Sequence, residues 1–291
     1  MRTLFILSCC VFISFSAYTQ KLSTSWEELT ASDFVSAVKQ SEGVCVLPMG
    51  VIEKHGAHLP LGTDVYTARE ISFRAAEKEY CIVFPYYFVG QIYEAKHQPG
   101  TLAYSPEMIY KFLEETCDEI SRNGIKKIIL NNIHGGNPSF LEYFCQSQLF
   151  KQKDYAVYLF TPSMDSKTQA KISSMRKSTT GGHGDEVETS TVMVAKPDLV
   201  KLDRVTNESG VDMNRLQLNN VYTGIWWYAK YPNHYAGDAK DANVELGEVA
   251  MEQRVNQLAE VIKAVKADNV TLRLQEEFFK ESSSPIDTKV R

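Results

Sequence analysis

Short apolar runs closed by Pro or Gly alternate along this chain with longer segments whose apolar residues recur every three or four positions. "GVCVLPMG" is a run of the kind a strand buried on both faces requires. "CIVFPYYFVG", "IKKIILNN" and "YAVYLF" repeat the signal further on. Between them the period lengthens. Thr63 or Asp64 can cap a helix that follows the first strand. Pro106 opens another, in which Met108, Ile109, Phe112, Leu113 and Ile120 share a face and Asn123-Gly124 is the stop. Asn137 and Pro138 read as N-cap and first position of a third. "DEVETSTVMVAK" gives a further helix ended by Pro197, and "ELGEVAMEQRVNQLAEVIKAVKAD" a long amphipathic one. Strands alternating with helices predict an α/β fold: a three-layer, sandwich-like arrangement of a mostly parallel sheet flanked by helices. In such sheets ligands bind beyond the C-terminal ends of the strands. From about Asp198 to Asp241 the pattern dissolves into a Tyr- and Trp-containing stretch, expected to form loops that wall a pocket. The end, "KESSSPIDTKVR", reads as a loose tail.

The N-terminus departs from this alternation. "MRTLFILSCCVFISFSAYTQ" has a basic residue, an apolar run and then small residues, the layout of a cleavable secretory signal. The expected division is a signal over residues 1–19 and one domain over residues 20–291. A lipoprotein signal ending at Cys9 is the competing reading, disfavoured because the apolar run continues past that cysteine. No later stretch approaches the ~20 apolar residues of a membrane span, so stable membrane insertion is not expected. Cys45, Cys81, Cys117 and Cys145 would remain after cleavage; with no CxxC pair, they read as structural thiols rather than bridges.

Charge narrows the partners. A formal net charge of -5, made of mixed signs without long like-charge blocks, offers no footprint for nucleic acid or an anionic membrane. A small molecule is the expected partner.

The polar groups that could act on one cluster where the pattern puts strand ends. "GVIEKHGAHLPLGTD" carries Glu53, His55, His58 and Asp64 directly after the first strand. Glu53 and His55 are two apart, so on extended backbone both point to the same face. His134 follows the strand "KIILNN", and Gly135-Gly136 gives its turn freedom. "GGHGDEVETS" adds His183, Asp185, Glu186 and Glu188. Helical geometry separates them: His183 and Glu186, three apart, share a face while Glu188 lies about 200° from Glu186, which favours Glu186 as the ligand. Oxygen and imidazole donors without thiolate suit a hydrolytic zinc, manganese or iron site more than a structural zinc. Singly, each residue has an ordinary use: Asp64 as a cap, Glu53 as a loop acid, His134 as a hydrogen-bonded core histidine. Their convergence on one sheet edge argues for a site. His58 and His97 divide evenly between the two readings, His234 reads as an ordinary loop residue, and Trp226-Trp227 as packing. There is no G-x-S-x-G elbow, HExxH, P-loop or GxGxxG.

"PMGVIEKHGAHLPLGTD", "HQPGT", "NIHGGN", "GGHGDEVETS" and "GDAKDANVELGE", in that order from about Cys45 to Glu248, resemble the creatininase (creatinine amidohydrolase) family of metal-dependent hydrolases. The resemblance implies two divalent ions per chain, zinc first, and a homo-oligomer, usually a hexamer. It implies that Asp64 bridges the ions, that Glu53 and His134 complete one site and His55 the other, and that Glu186 supplies the missing acid. Creatinine-cleaving members carry that acid two residues after the H-G-G-N histidine, where this chain has Gly136. His183 is implied as the proton-handling residue, with Glu188 orienting it. The implied reaction is hydrolysis of a C–N bond in a small amide, cyclic amide or formamide by a metal-activated water. Creatinine itself is not favoured, since Thr179 and Pro162 stand about where creatinine-cleaving members have pocket tryptophans. The alternative is an exported metal-dependent small-molecule binding protein without turnover.

Overall fold

The computed structural model describes residues 22–288; the expected signal, with Cys9, lies outside them. In chain order the elements are α1 (Ala31–Gln40), β1 (Val44–Met49), α2 (Thr63–Lys78), β2 (Ile82–Val83), α3 (Pro106–Arg122), β3 (Lys127–Asn132), α4 (Pro138–Ser147), β4 (Ala156–Phe160), α5 (Ser166–Met175), α6 (Glu186–Ala195), α7 (Trp226–Lys230), α8 (Val244–Ala267) and α9 (Thr271–Ser282), joined by loops and short 3₁₀ turns. The four strands form one parallel sheet in the order β2-β1-β3-β4.

Alternation along β1 sends its side chains to two separate cores. Cys45, Leu47 and Met49 join Ile128, Leu130, Leu113 and Phe144 under α1, α3 and α4. Val44 and Val46 join Ile129, Ile71, Val255 and Ile262 under α2 and α8. Because both faces are covered, all six residues of β1 are buried, which is why the run reads as continuously apolar. The expected α/β architecture with a helix-covered parallel sheet is what forms.

Several local expectations need correction. "CIVFPYYFVG" pairs only through Ile82 and Val83 before Pro85, which has no N–H for a ladder, interrupts it; Tyr87 adds an isolated bridge to Met49. Neither Thr63 nor Asp64 caps α2: both lie within its first turn, and Gly62 holds the cap position. Asp64 therefore has its carboxylate available elsewhere. Asn137 holds the cap position of α4 without a capping bond; its amide instead donates to Asn132 Oδ1 and accepts from the Gln91 N–H. The helices α1, α5 and α9 join those expected, and α9 takes in the first residues of the expected tail. No helix among the described residues is long and apolar enough to cross a membrane. Cys45, Cys81, Cys117 and Cys145 are free thiols.

Helix α6 packs closely on α8 at Gly247, where a Cβ would lie 2.0 Å from the Ser190 carbonyl oxygen. That approach fixes the acidic first turn of α6 against the C-terminal edge of the sheet, beside the loops that leave β1 and β3.

Candidate metal centre

Five backbone segments deliver side chains to one buried point beyond β1 and β3. The loop after β1 brings Glu53 and His55, the first turn of α2 brings Asp64, and the turn after β3 brings His134. The turn ahead of α6 contributes His183, and α6 itself Glu188. Glu53, His55, Asp64 and His134 are all buried.

Three sets of ligand atoms lie within 4.8 Å of one another: Glu53, Asp64 and His134; His55, Asp64 and Glu188; and Glu53, His55 and His183. Asp64 belongs to two of them. Its Oδ1 is 3.2 Å from His55 Nε2 and its Oδ2 is 3.1 Å from His134 Nδ1. Glu53 Oε1 lies 2.7 Å from the same His134 nitrogen, and Glu188 Oε1 lies 3.7 Å from His55 Nε2.

The donors are oriented for a cation. His134 Nε2 gives its proton to the Gln91 carbonyl at 2.7 Å. In the neutral ring Nδ1 then presents a lone pair to Glu53 Oε1 and Asp64 Oδ2. Both of those oxygens are buried, and neither has a hydrogen bond of acceptable angle despite the short distances. A lone pair facing two carboxylate oxygens is repulsive unless a positive charge lies between them. His55 repeats the arrangement, with Nδ1 on the Glu53 carbonyl at 3.3 Å and Nε2 on Asp64. An anchored ring nitrogen with its partner turned to carboxylates is the usual preparation of a metal-ligating histidine.

The electrostatics agree. Burial opposes charge on His55, yet Glu188, Asp64 and Glu53 together push its pKa up to about 10. His134 is driven well above the usual histidine range by Glu53 and Asp64, again against burial. Burial would raise Glu53, but His134, His183 and His55 hold it well below the usual carboxylate range. Glu188 is pushed up to about 7 by burial, with His55 acting in the opposite direction. His183 falls to about 3, through burial and the charge of His55.

The acids of α6 do not divide as the helical pattern predicted. Glu186 is not in the cluster: its carboxylate accepts from the backbone N–H groups of Lys177 and Ser178. Glu188 takes the place beside His55 and Asp64. The prediction fails because His183 is not helical. Asp185 is the N-cap of α6, its side chain accepting from the Glu188 N–H, and His183 sits in the turn before it, paired antiparallel with Ala236. Gly184, at φ +66°, makes that turn possible. Glu188 does not orient His183 either. His183 Nε2 is held by the Lys54 carbonyl at 2.8 Å and its ring stacks on His55, whereas Glu188 accepts from the Gly184 N–H.

His234, an ordinary loop residue by its sequence, also reaches the cluster. Its Nε2 is 2.5 Å from Glu53 Oε2, and its Nδ1 accepts from Trp227 Nε1–H at 2.9 Å. His234 stands three residues ahead of the "GDAKDANVELGE" stretch, and that proximity is the sequence signal it carries. His58 braces the site from outside, on the Gly184 carbonyl and Thr189 Oγ1. His97 is exposed and bonds the Pro232 carbonyl at the rim.

The centre opens into a cavity of about 1460 Å³. Trp226, Trp227 and Tyr228 form one wall of it, so the Asp198–Asp241 stretch does wall a pocket, partly from the short helix α7.

Residues 27–262 match the family model described as creatininase, creatinine amidohydrolase. The chain is 26% identical over 251 residues to the creatinine amidohydrolase of Pseudomonas putida, covering 81% of this chain and 95% of that one. It is 22% identical over 263 residues to a 3-dehydro-scyllo-inosose hydrolase of Thermotoga maritima, covering 82% and 83%. Among solved structures it is similar to a mutant creatininase of Zn–Zn type, with a TM-score of 0.71 and 23% identity over 84% of this chain and 99% of the other.

Proposed function

Because this chain belongs to the creatininase family, we propose that it is a metal-dependent hydrolase that cleaves a C–N bond of a small amide, cyclic amide or formamide. The observation that carries the reading is the sharing of Asp64 between two ligand sets, with Glu53 Oε1 and Asp64 Oδ2 buried and lacking hydrogen bonds. Glu53, Asp64 and His134 would hold one divalent ion and His55, Asp64 and Glu188 a second, zinc first among the candidates. Ions there supply Lewis acidity, acidifying a water and polarising a carbonyl.

The chain's own residues handle the rest. Water's oxygen joins the carbonyl carbon, the C–N bond breaks, and a water proton reaches the departing nitrogen. His183 is our candidate for carrying it. The Lys54 carbonyl fixes its proton on Nε2, so the neutral ring keeps a lone pair on Nδ1 to accept a proton and pass it on. The ring lines the cavity and is held neutral by burial. His234 holds Glu53 through Oε2, and Glu53 would hold an ion with the carboxylate so oriented.

Two measurements test the reading together. Purified protein should retain about two divalent ions per chain, and the metal-loaded protein should release amine from a panel of acetamides, formamides and lactams. Fewer than about one tightly held ion per chain would sink the proposal; full metal with no turnover across the panel would favour a binding protein. We further propose export, from the N-terminal apolar run, and a homo-oligomer up to a hexamer, from the family resemblance. Cell fractionation and light scattering check these.

A further inference from the structure

Four arginines among the described residues are not exposed: Arg69, Arg74, Arg176 and Arg254. Arg69 pairs with Glu27, Arg74 with Glu70 and Glu248, and Arg176 with Asp185. The side chain of Arg254 makes no hydrogen bond or ion pair with any described residue, while its backbone belongs to the α8 ladder. It stands on α8 and lines the cavity that contains the metal centre. Burial pulls its guanidinium below the usual arginine range, and Glu188 is the acid whose charge acts against that. A partly buried guanidinium whose five donors meet no protein acceptor is free to bind a ligand that enters the cavity.

Its surroundings define what that something is. Ala250 and Met251, one turn earlier on α8, line the same cavity with Val187 and Ile172, so the cation stands beside an apolar wall. The cavity of about 1460 Å³ exceeds the roughly 300–1,000 Å³ usual for small-ligand sites, leaving room beyond the centre. A single planar fork matches a carboxylate in bidentate fashion. A phosphate dianion would need more donors than one guanidinium offers.

Building on the hydrolase reading above, we infer that Arg254 is a specificity residue that binds a carboxylate on the substrate, so the substrate class is an amide or formamide bearing a free carboxylate. Arg254 takes no part in bond making or breaking. It holds the anionic end while the C–N bond lies over the metal centre.

Matched pairs test this on the metal-loaded protein. N-acetylglycine is compared with N-acetylethanolamine, and N-acetyl-β-alanine with N-acetyl-3-aminopropanol, for amine release and for binding by titration calorimetry. The wild type should favour at least one carboxylate over its alcohol by roughly 10- to 100-fold in kcat/KM. Arg254→Gln should remove that preference mainly through KM, and Arg254→Lys should restore part of it, keeping the charge without the fork. Circular dichroism and metal content confirm that each variant is folded and loaded. Turnover with no carboxylate preference, or a preference that survives Arg254→Gln, overturns the inference and leaves the hydrolase reading standing. Arg254-dependent carboxylate binding without turnover of any amide supports the inference and counts against the hydrolase reading. Neither turnover nor carboxylate binding overturns both.

Discussion

The imidazole of His234 stands 2.5 Å, Nε2 to Oε2, from the carboxylate of Glu53, across 181 positions of chain. Trp227 decides which nitrogen faces the acid, because its indole N–H donates to Nδ1 and so leaves the His234 proton on Nε2. His234 is buried and adopts φ +52°, a left-handed conformation that non-glycine residues rarely take and that collects at functional sites. The strained loop thus orients Glu53 so that its other oxygen faces His134.

Removing that support should loosen the metal. His234→Ala should weaken divalent-ion affinity by about 10- to 100-fold, the range for partners that orient ligands. Trp227→Phe should cost less, since the imidazole remains but can reverse its proton. Chelator competition measures both, and an unchanged affinity in His234→Ala shows that Glu53 needs no such support.

The two acids of α6 have separable roles. Glu188→Gln should lower the number of tightly bound ions, whereas Glu186→Ala should retain the metal and lose roughly 1–3 kcal/mol of stability by orphaning the Lys177 and Ser178 amides. Elemental analysis and thermal melts read the two effects; the reverse pattern would return Glu186 to the ligand set.

Metal loading should release protons. The pKa of His55 is raised to about 10 and that of His134 is also raised, so at pH 8 the metal-free protein holds protons where an ion belongs. Raised histidine pKa values stabilise the metal-free fold below the unfolded value of about 6.5, and this support is lost as pH climbs through the folded values. Apparent metal affinity should therefore rise with pH, and binding heats should vary with the ionisation enthalpy of the buffer. Buffer-independent heats rule out this exchange.

Gly136 occupies the position where creatinine-cleaving relatives are expected to carry an acid. A Cβ there would lie 2.4 Å from Gln91 Oε1 and 2.5 Å from His134 Nε2. Gly136→Glu should therefore weaken metal binding by displacing His134, instead of adding a ligand. Tighter binding in that variant would show that the turn can move to admit the acid.

Much of the architecture was legible because it depends on local rules. The apolar run of β1 and the Ile128–Leu130 run within β3 announce strands covered on both sides, and the amphipathic faces of α3 and α8 announce the helices that cover them. Glu53, His55 and His134 were legible because a strand end fixes where the next few side chains go, and Asp64 because it opens the helix that follows the same loop. Local rules failed where distant chain intervenes. The pairing of His183 with Ala236 delays the start of α6, and that delay exchanges Glu186 for Glu188 at the centre.

The sequence by itself determined the alternating strands and helices, the edge on which chemistry gathers, and the donor types gathered there, since periodicity, turn residues and side-chain chemistry are properties of neighbours along the chain. Tertiary structure alone decided that His234 reaches Glu53, that Glu188 rather than Glu186 faces His55, and that the side chain of Arg254 stands in the cavity wall without a partner among the described residues. Those are relations between segments up to 181 residues apart, set by how helices and loops pack on the sheet, and no period in the sequence encodes them.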